Sequence, residues 1–448
     1  MFAQKIGYIR RGERGTEQVN LLMKKGRAVS TTVAAVVVIV IVAAAGGAYY
    51  YYAQVSTTPQ KTIGVVFDIG GRGDLSFNDM AALGADNAAR TVLGCPNDPS
   101  PCEHFLQSAT SADYLPNLRQ LASLNPPPVL IVAVGFLMGD AVNQTAKDFP
   151  NQKFAIVDDV VPGRPNLLGL TFNTNEGGAA AGVLAAFVSD CYSKAGQGGN
   201  KVGLVLGIEI PVLWTFEIGY KWGVSWAENY SQSTLGHTIL GNAPVKNVVL
   251  YKYTGTFTDS PKGKAEALNE FAAGAVVSYN VAGATGNGIF DAAQTLGAQK
   301  GQTMGPPFGI GVDSDQDYVQ PGYILASQMK RVDTAVLTAT KLAVNGSFSS
   351  VVQSTGADLS FNMASGGVAI STVNDVNTFI QIAVSHGKTY NVTEITNKIQ
   401  SMRNAVTAKC GAVYDYVNTV VSQIKSGQVH VPLVLTQDAI TLWRSRYG

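Results

Sequence analysis

The chain of 448 residues holds only four cysteines and four histidines, and its charges nearly cancel, with 32 Lys and Arg against 31 Asp and Glu. Each shortage excludes something. A net charge of +1 sets up no broad field for nucleic acid, so no nucleic-acid partner is expected. No CxxC or HxxxH occurs, and His104 is the only histidine near a cysteine pair, so neither a metal nor any other cofactor is expected. There is no GxSxG nucleophile turn, and 283-GATGNG-288, which looks superficially like a phosphate loop, lacks both GxGxxG and the Walker Lys-Ser/Thr. The chain therefore reads as a binding protein and not as an enzyme.

Charge is also scarce overall, at 14% of residues, and from Val29 to Gln60 there is none. The centre of that run, 33-VAAVVVIVIVAAAGGAYYYYA-53, has the roughly 20 apolar residues that span a bilayer core, with Tyr49 to Tyr52 as an interfacial belt. Lys5, Arg10, Arg11, Arg14, Lys24, Lys25 and Arg27 precede it, so the positive-inside rule puts residues 1–30 in the cytoplasm and the rest outside. The expected order is a basic segment 1–30, a transmembrane helix 31–53 and a polar linker 54–60. No cysteine precedes Cys95, which excludes a lipidated cysteine as the anchor. The stretch 27-RAVS-30 resembles the processing site of archaeal pilin-like signal peptides, in which the apolar helix is kept on the mature protein. An exterior domain suits disulfides. Cys95 and Cys102 bracket the turn 96-PNDPSP-101 and are paired here, while Cys191 and Cys410 form either a second bond or two buried thiols. Sequons at Asn143, Asn229, Asn345 and Asn391 are compatible with that exterior location.

The 48 glycines and 46% hydrophobic residues fit an α/β domain rich in glycine turns. Apolar runs at 62–67, 128–135, 153–158, 201–207, 247–253, 275–283 and 308–313 read as strands, with helical patterns such as 177–189, 261–274 and 288–299 between them. Repeated β-α units imply parallel sheets covered by helices. Two sheets are expected, crossing near 168-LGLTFNTNEG-177, with ligand-type loops at their strand ends facing a cleft. The loop 68-DIGGRGDLSFN-78 is the most pointed of these. It is either a solvated turn with Phe77 folded into the local core, or a ligand edge from which Phe77 projects.

Taken in order, 68-DIGGRGDLSFND-79, 154-FAIVDD-159, 171-TFNTNEGGAAAGVLAA-186, 209-EIPVLWTFEIGYKWGV-224, 253-YTGTFTDSPKGKAEAL-268, 282-AGATGNGIFDAA-293, 309-GIGVDSDQ-316 and 325-LASQMKRVD-333 resemble the basic membrane protein family of ABC-transporter binding proteins, which includes purine nucleoside receptors. The resemblance covers about 61–345, and 422-SQIKSGQVHVP-432 looks like the family's C-terminal helix and strand. It implies a type I periplasmic-binding-protein fold: two Rossmann-like lobes joined by three crossovers, lobe 1 being 61–170 with about 313–345 returning to it. Lobe 2 would be 171–312 with part of 346–448 returning. The resemblance also implies ligand-binding roles for Asp68, Phe77, Asn78 and Asp158 at the base, with Phe216 as the opposite aromatic and Asp158 preferred over Asp159 by register. Asp313 and Lys330 would hold the ribose, and backbone around Gly283 and Gly286 would complete the pocket. Two aromatics suit the two π faces of a purine, and carboxylates suit N–H and O–H donors. The insertion with Cys95 and Cys102 and the stretch 375–412 depart from the family pattern. The implied function is a membrane-tethered, extracellular receptor for a purine nucleoside that delivers its ligand to ABC permease subunits. The rivals are a membrane-bound solute sensor and an importer receptor for a sugar or an amino acid.

Overall fold

The computed structural model describes residues 30–55, 59–385 and 389–447, so the expected cytoplasmic segment, with most of its processing-like site, lies outside the described residues, as does part of the linker. Residues up to Pro59 form one unit and Gln60 onward another. In the first, Thr31–Val55 is a helix of 25 residues without a charged side chain. Among the described residues no helix is long and apolar enough to cross a membrane. The spanning expectation thus stands on the sequence alone.

The second unit is built on two six-stranded sheets. Twelve strands are labelled in chain order: β1 (Ile63–Phe67), β2 (Glu103–Gln107), β3 (Leu130–Val134), β4 (Phe154–Val157), β5 (Leu167–Phe172), β6 (Lys201–Leu206), β7 (Val249–Tyr253), β8 (Ala275–Val281), β9 (Phe308–Asp313), β10 (Ile324–Lys330), β11 (Asp358–Phe361) and β12 (Val368–Ile370). One sheet runs β11-β5-β4-β3-β1-β2 and is parallel throughout. The other runs β12-β10-β9-β8-β6-β7, parallel except where β12 pairs antiparallel with β10. β1, β3, β4, β8 and β9 are buried at every residue, which is why they read as mostly apolar runs.

The chain passes between the sheets three times: after β5, after β10 and between β11 and β12. This is the expected two-lobed α/β arrangement, with one correction at the boundaries. β10, inside the 313–345 segment expected in lobe 1, is hydrogen-bonded to β9 in the second sheet. The return to the first sheet's side begins only with the helix Val332–Asn345, which lies so close to Phe77–Thr91 that a Cβ on Gly84 would sit 2.7 Å from the Asp333 carbonyl oxygen. Of the helix and strand expected within 422–432 only the helix forms: Val413–Lys425 is helical, and residues 426–435 belong to no strand.

The glycines of 177-GGAAAGVLAA-186 have a packing reason. The helices Thr174–Lys194 and Pro211–Tyr230 interlock so tightly that a Cβ on Gly182 would lie 2.2 Å from the Tyr220 carbonyl oxygen, and one on Gly223 2.1 Å from that of Ala179. Both disulfides are formed, Cys95–Cys102 and Cys191–Cys410, which decides the alternative left open for the second pair.

Candidate functional site

The C-terminal ends of β1, β3, β4, β8, β9 and β10 face one cavity of about 70 Å³. Asp68, Phe77, Asn78, Asp158, Phe216, Gly283, Asp313 and Lys330 all line it. Gly286 does not. A Cβ there would fall 1.6 Å from Asn280 Oδ1, so this glycine serves the packing of the turn after β8.

The loop after β1 is fixed by acids. Asp74 accepts the backbone N–H groups of Ser76 and Asn78 at 2.9 Å and of Asp79 at 3.2 Å, satisfying donors that the start of the helix Phe77–Thr91 leaves free. Asp79 in turn accepts from the N–H groups of Gly73 and Leu75. This network presents Phe77, the helix's first residue, half-buried at the cavity wall. Asn78 differs from the expectation. Its Oδ1 accepts the Asp68 N–H at 3.2 Å, and its Nδ2 donates to Asp68 Oδ1 at 2.8 Å and to Asp74 Oδ2 at 3.2 Å. Its groups are spent on holding Asp68, whose Oδ1 also accepts from the Gly70 N–H at 2.8 Å. The other oxygen, Oδ2, would be 3.3 Å from a Cβ on Gly135, a position kept open by that glycine at φ +119°.

Asp158 and Asp313 follow or end β4 and β9 with φ of +71° and +64°, a left-handed conformation uncommon for non-glycine residues and concentrated at functional sites. Asp158 is ion-paired with Lys330. The Lys330 ammonium lies over three rings, 4.5 Å from the centroid of Phe77, 5.3 Å from Phe172 and 6.0 Å from Phe216, so both expected aromatics border the same cation. Asp313 Oδ2 accepts from the Ser76 hydroxyl at 3.2 Å, whereas its buried Oδ1 has no hydrogen-bond partner among the described residues. A buried carboxylate oxygen left unpaired is costly unless something else fills the site.

The electrostatics follow from burial. Burial pushes the Asp68 carboxyl up, against the Asn78 bond and the Gly70 and Gly71 N–H groups. Burial likewise raises Asp158, opposed by Lys330. Asp313 is pushed up to about 6 by burial, reinforced by Asp158 and Asp68 and countered by Lys330 and Ser76. Four carboxyl groups, of Asp68, Asp74, Asp158 and Asp313, and one ammonium between aromatic and aliphatic walls suit a ligand that is flat on its faces and rich in N–H and O–H donors at its edges. Among the described residues no cluster of His, Cys, Asp or Glu could hold a metal ion.

Several wall residues were not foreseen: Asp74, Gly135, Phe136 and Phe257. Phe136 and Phe257 each stand one or two residues after a glycine that follows a strand, in 135-GF-136 and 255-GTF-257.

The sequence profile of a family described as Bmp, ABC transporter substrate-binding protein PnrA-like, matches residues 61–235 and 242–401. It therefore reaches well into the 375–412 stretch that was expected to depart from the family. An uncharacterized lipoprotein of Pyrococcus horikoshii is 33% identical over 370 residues, covering 82% of each chain. The ABC transporter nucleoside-binding protein BmpA of Lactococcus lactis is 28% identical over 341 residues, covering 72% of this chain and 85% of that one. Among solved structures, an ABC transporter system solute-binding protein of Aeropyrum pernix K1 superposes with a TM-score of 0.72 at 29% identity, over 86% of this chain and 98% of that one. The chain belongs to the Bmp family of PnrA-like ABC transporter substrate-binding proteins.

Proposed function

We propose that this substrate-binding protein is an extracellular receptor for nucleosides, with purine nucleosides preferred. It captures the ligand by closure of the two lobes and presents the closed form to its permease. The observation that carries the reading is the pairing of Phe77 and Phe216 with the unsatisfied Oδ1 of Asp313 in one cavity. The rings would clamp the base, with stacking contributing roughly 1–3 kcal/mol. Asp68 Oδ2 would accept base N–H donors, with Asn78 orienting it. Asp313 would accept ribose hydroxyls, Lys330 would donate to a ribose oxygen while balancing Asp158, and backbone at Gly283 would close the wall. The printed name of the Lactococcus lactis relative, a nucleoside-binding protein, supports the ligand class.

Titration calorimetry with inosine, guanosine, adenosine and hypoxanthine tests this. Asp313→Ala should weaken nucleosides strongly and leave the free base nearly unchanged, since the base makes no contact there. Phe216→Ala should lose about ten- to hundredfold in affinity for both. Wild-type protein that binds none of the four, or an Asp313→Ala protein that loses base and nucleoside equally, removes the nucleoside assignment.

The uncharged helix Thr31–Val55 and the basic flank before it support an N-terminal membrane tether with the binding domain outside. External protease on intact cells should release a fragment beginning just after Tyr52. Protection of the whole domain would reverse the orientation.

A further inference from the structure

The four sequons take no part in the cleft, and their surroundings divide them in two. Asn143 stands inside the helix Gly139–Asp148, and its Oδ1 accepts from Arg164 Nε at 2.8 Å. The hydroxyl its sequon needs belongs to Thr145, which is fully buried and donates to the Ala141 carbonyl at 2.8 Å. Asn229 is exposed, but it lies in the last turn of the helix Pro211–Tyr230. Its partner Ser231 is fully buried, with the hydroxyl donating to the His237 carbonyl at 2.7 Å. Neither triplet can be read by an enzyme without breaking helix and side-chain bonds.

The other two stand at helix boundaries. Asn345 is the exposed last residue of Val332–Asn345, followed by Gly346 at φ +83°, where an added Cβ would meet nothing within 4 Å. Its Oδ1 accepts the Ser347 N–H at 2.9 Å, which fixes the carboxamide and leaves Nδ2 as its free end among the described residues. Asn391 caps the helix Val392–Cys410, its Oδ1 accepting from the Glu394 N–H at 3.2 Å. Both it and Thr393 are exposed.

We propose that Asn345 and Asn391 are N-glycan acceptors and that Asn143 and Asn229 are not. In the transfer, a bond forms between Asn Nδ2 and the anomeric carbon of a lipid-linked oligosaccharide. The bond from that carbon to the lipid's phosphate breaks, and one amide proton is lost as the phosphate leaves. The inference rests on the exterior location proposed above.

The test is intact-mass and glycopeptide mass spectrometry of the full chain purified from its own membrane. Expected are two glycans, one each on the peptides containing Asn345 and Asn391. Asn345→Gln and Asn391→Gln should each remove one, while Asn143→Gln and Asn229→Gln should leave the glycan mass unchanged. A glycan on Asn143 or Asn229, or bare peptides at Asn345 and Asn391, overturns the inference. External protease on the same cells separates the causes: a domain that is reached by protease but bare sinks this inference alone, and a protected domain sinks the exterior reading with it.

Discussion

Asp313 shows how a binding residue is held at the expense of the empty protein. Its carboxyl is buried, lacks a partner at Oδ1 among the described residues, and is pushed up to about 6 from an ordinary 3.8. The native state thus binds this proton more tightly than the unfolded chain does. The stability so conferred is complete below about pH 4 and is lost as pH rises through about 6. Ligand-free Asp313→Asn should therefore be more stable than wild type at pH 8, by up to about 3 kcal/mol, with the gap closing towards pH 4. Urea melts at pH 4, 6 and 8 check this, and no gain at pH 8 would mean that the carboxylate is adequately solvated. In the wild type, nucleoside affinity should fall as pH drops below 6, because the acceptor becomes protonated.

At the scale of elements, the cleft depends on how the helix Pro211–Tyr230 is held, since it carries Phe216. The next residue, Glu217, is fully buried. It accepts from Arg444 Nη2 at 2.7 Å and Nε at 3.1 Å, from Lys221 Nζ at 2.8 Å and from the Tyr253 hydroxyl at 2.8 Å. Burial pushes its carboxyl up, and the bonds from Arg444 and Lys221 more than offset that, leaving it below the usual range. Arg444 comes from the C-terminal helix Gln437–Tyr447 and also reaches Glu209 at 2.8 Å, just before the helix it secures. Arg444→Ala should lower stability by about 1–3 kcal/mol, and Arg444→Lys should restore little, because an ammonium cannot reproduce the forked geometry. Chemical denaturation measures both, and a neutral Arg444→Ala would show that Lys221 and Tyr253 suffice.

Over the whole molecule, the two disulfides should count unequally. Cys191–Cys410 closes a separation of 219 residues and Cys95–Cys102 one of 7. On the chain-entropy account, replacing the first pair by serine costs about 5 kcal/mol and the second about 2 kcal/mol. Guanidinium unfolding of the two double variants ranks them, and the opposite order would show that the short loop carries native-state contacts the long one lacks. Because three crossings join the sheets, relative motion of the lobes must be absorbed near 173, 331 and 362–367, the second of which directly follows Lys330 at the cavity.

What the sequence determined by itself was the central part of each sheet. β1, β3, β4, β8 and β9 are buried on both faces and are mostly apolar, so they show up as apolar runs, whereas β10, ILASQMK, is equally buried but carries Ser327, Gln328 and Lys330 and does not. Asp68, Asp158 and Asp313, at the ends of those runs, were named through the resemblance to the basic membrane protein family, and all three line the cavity. Edge strands such as β2, EHFLQ, and β11, DLSF, were not legible, because a half-exposed strand of four or five residues has no pattern distinct from a loop. Tertiary structure decided the sheet to which β10 belongs, the bond between Cys191 and Cys410, the packing role of Gly286 and the addition of Phe136 and Phe257 to the wall. It also turned Asn78 inward on Asp68 and left Asp313 Oδ1 without a partner among the described residues. These outcomes depend on what packs around each group in three dimensions, often residues dozens to hundreds of positions away, and local periodicity carries no information about such partners.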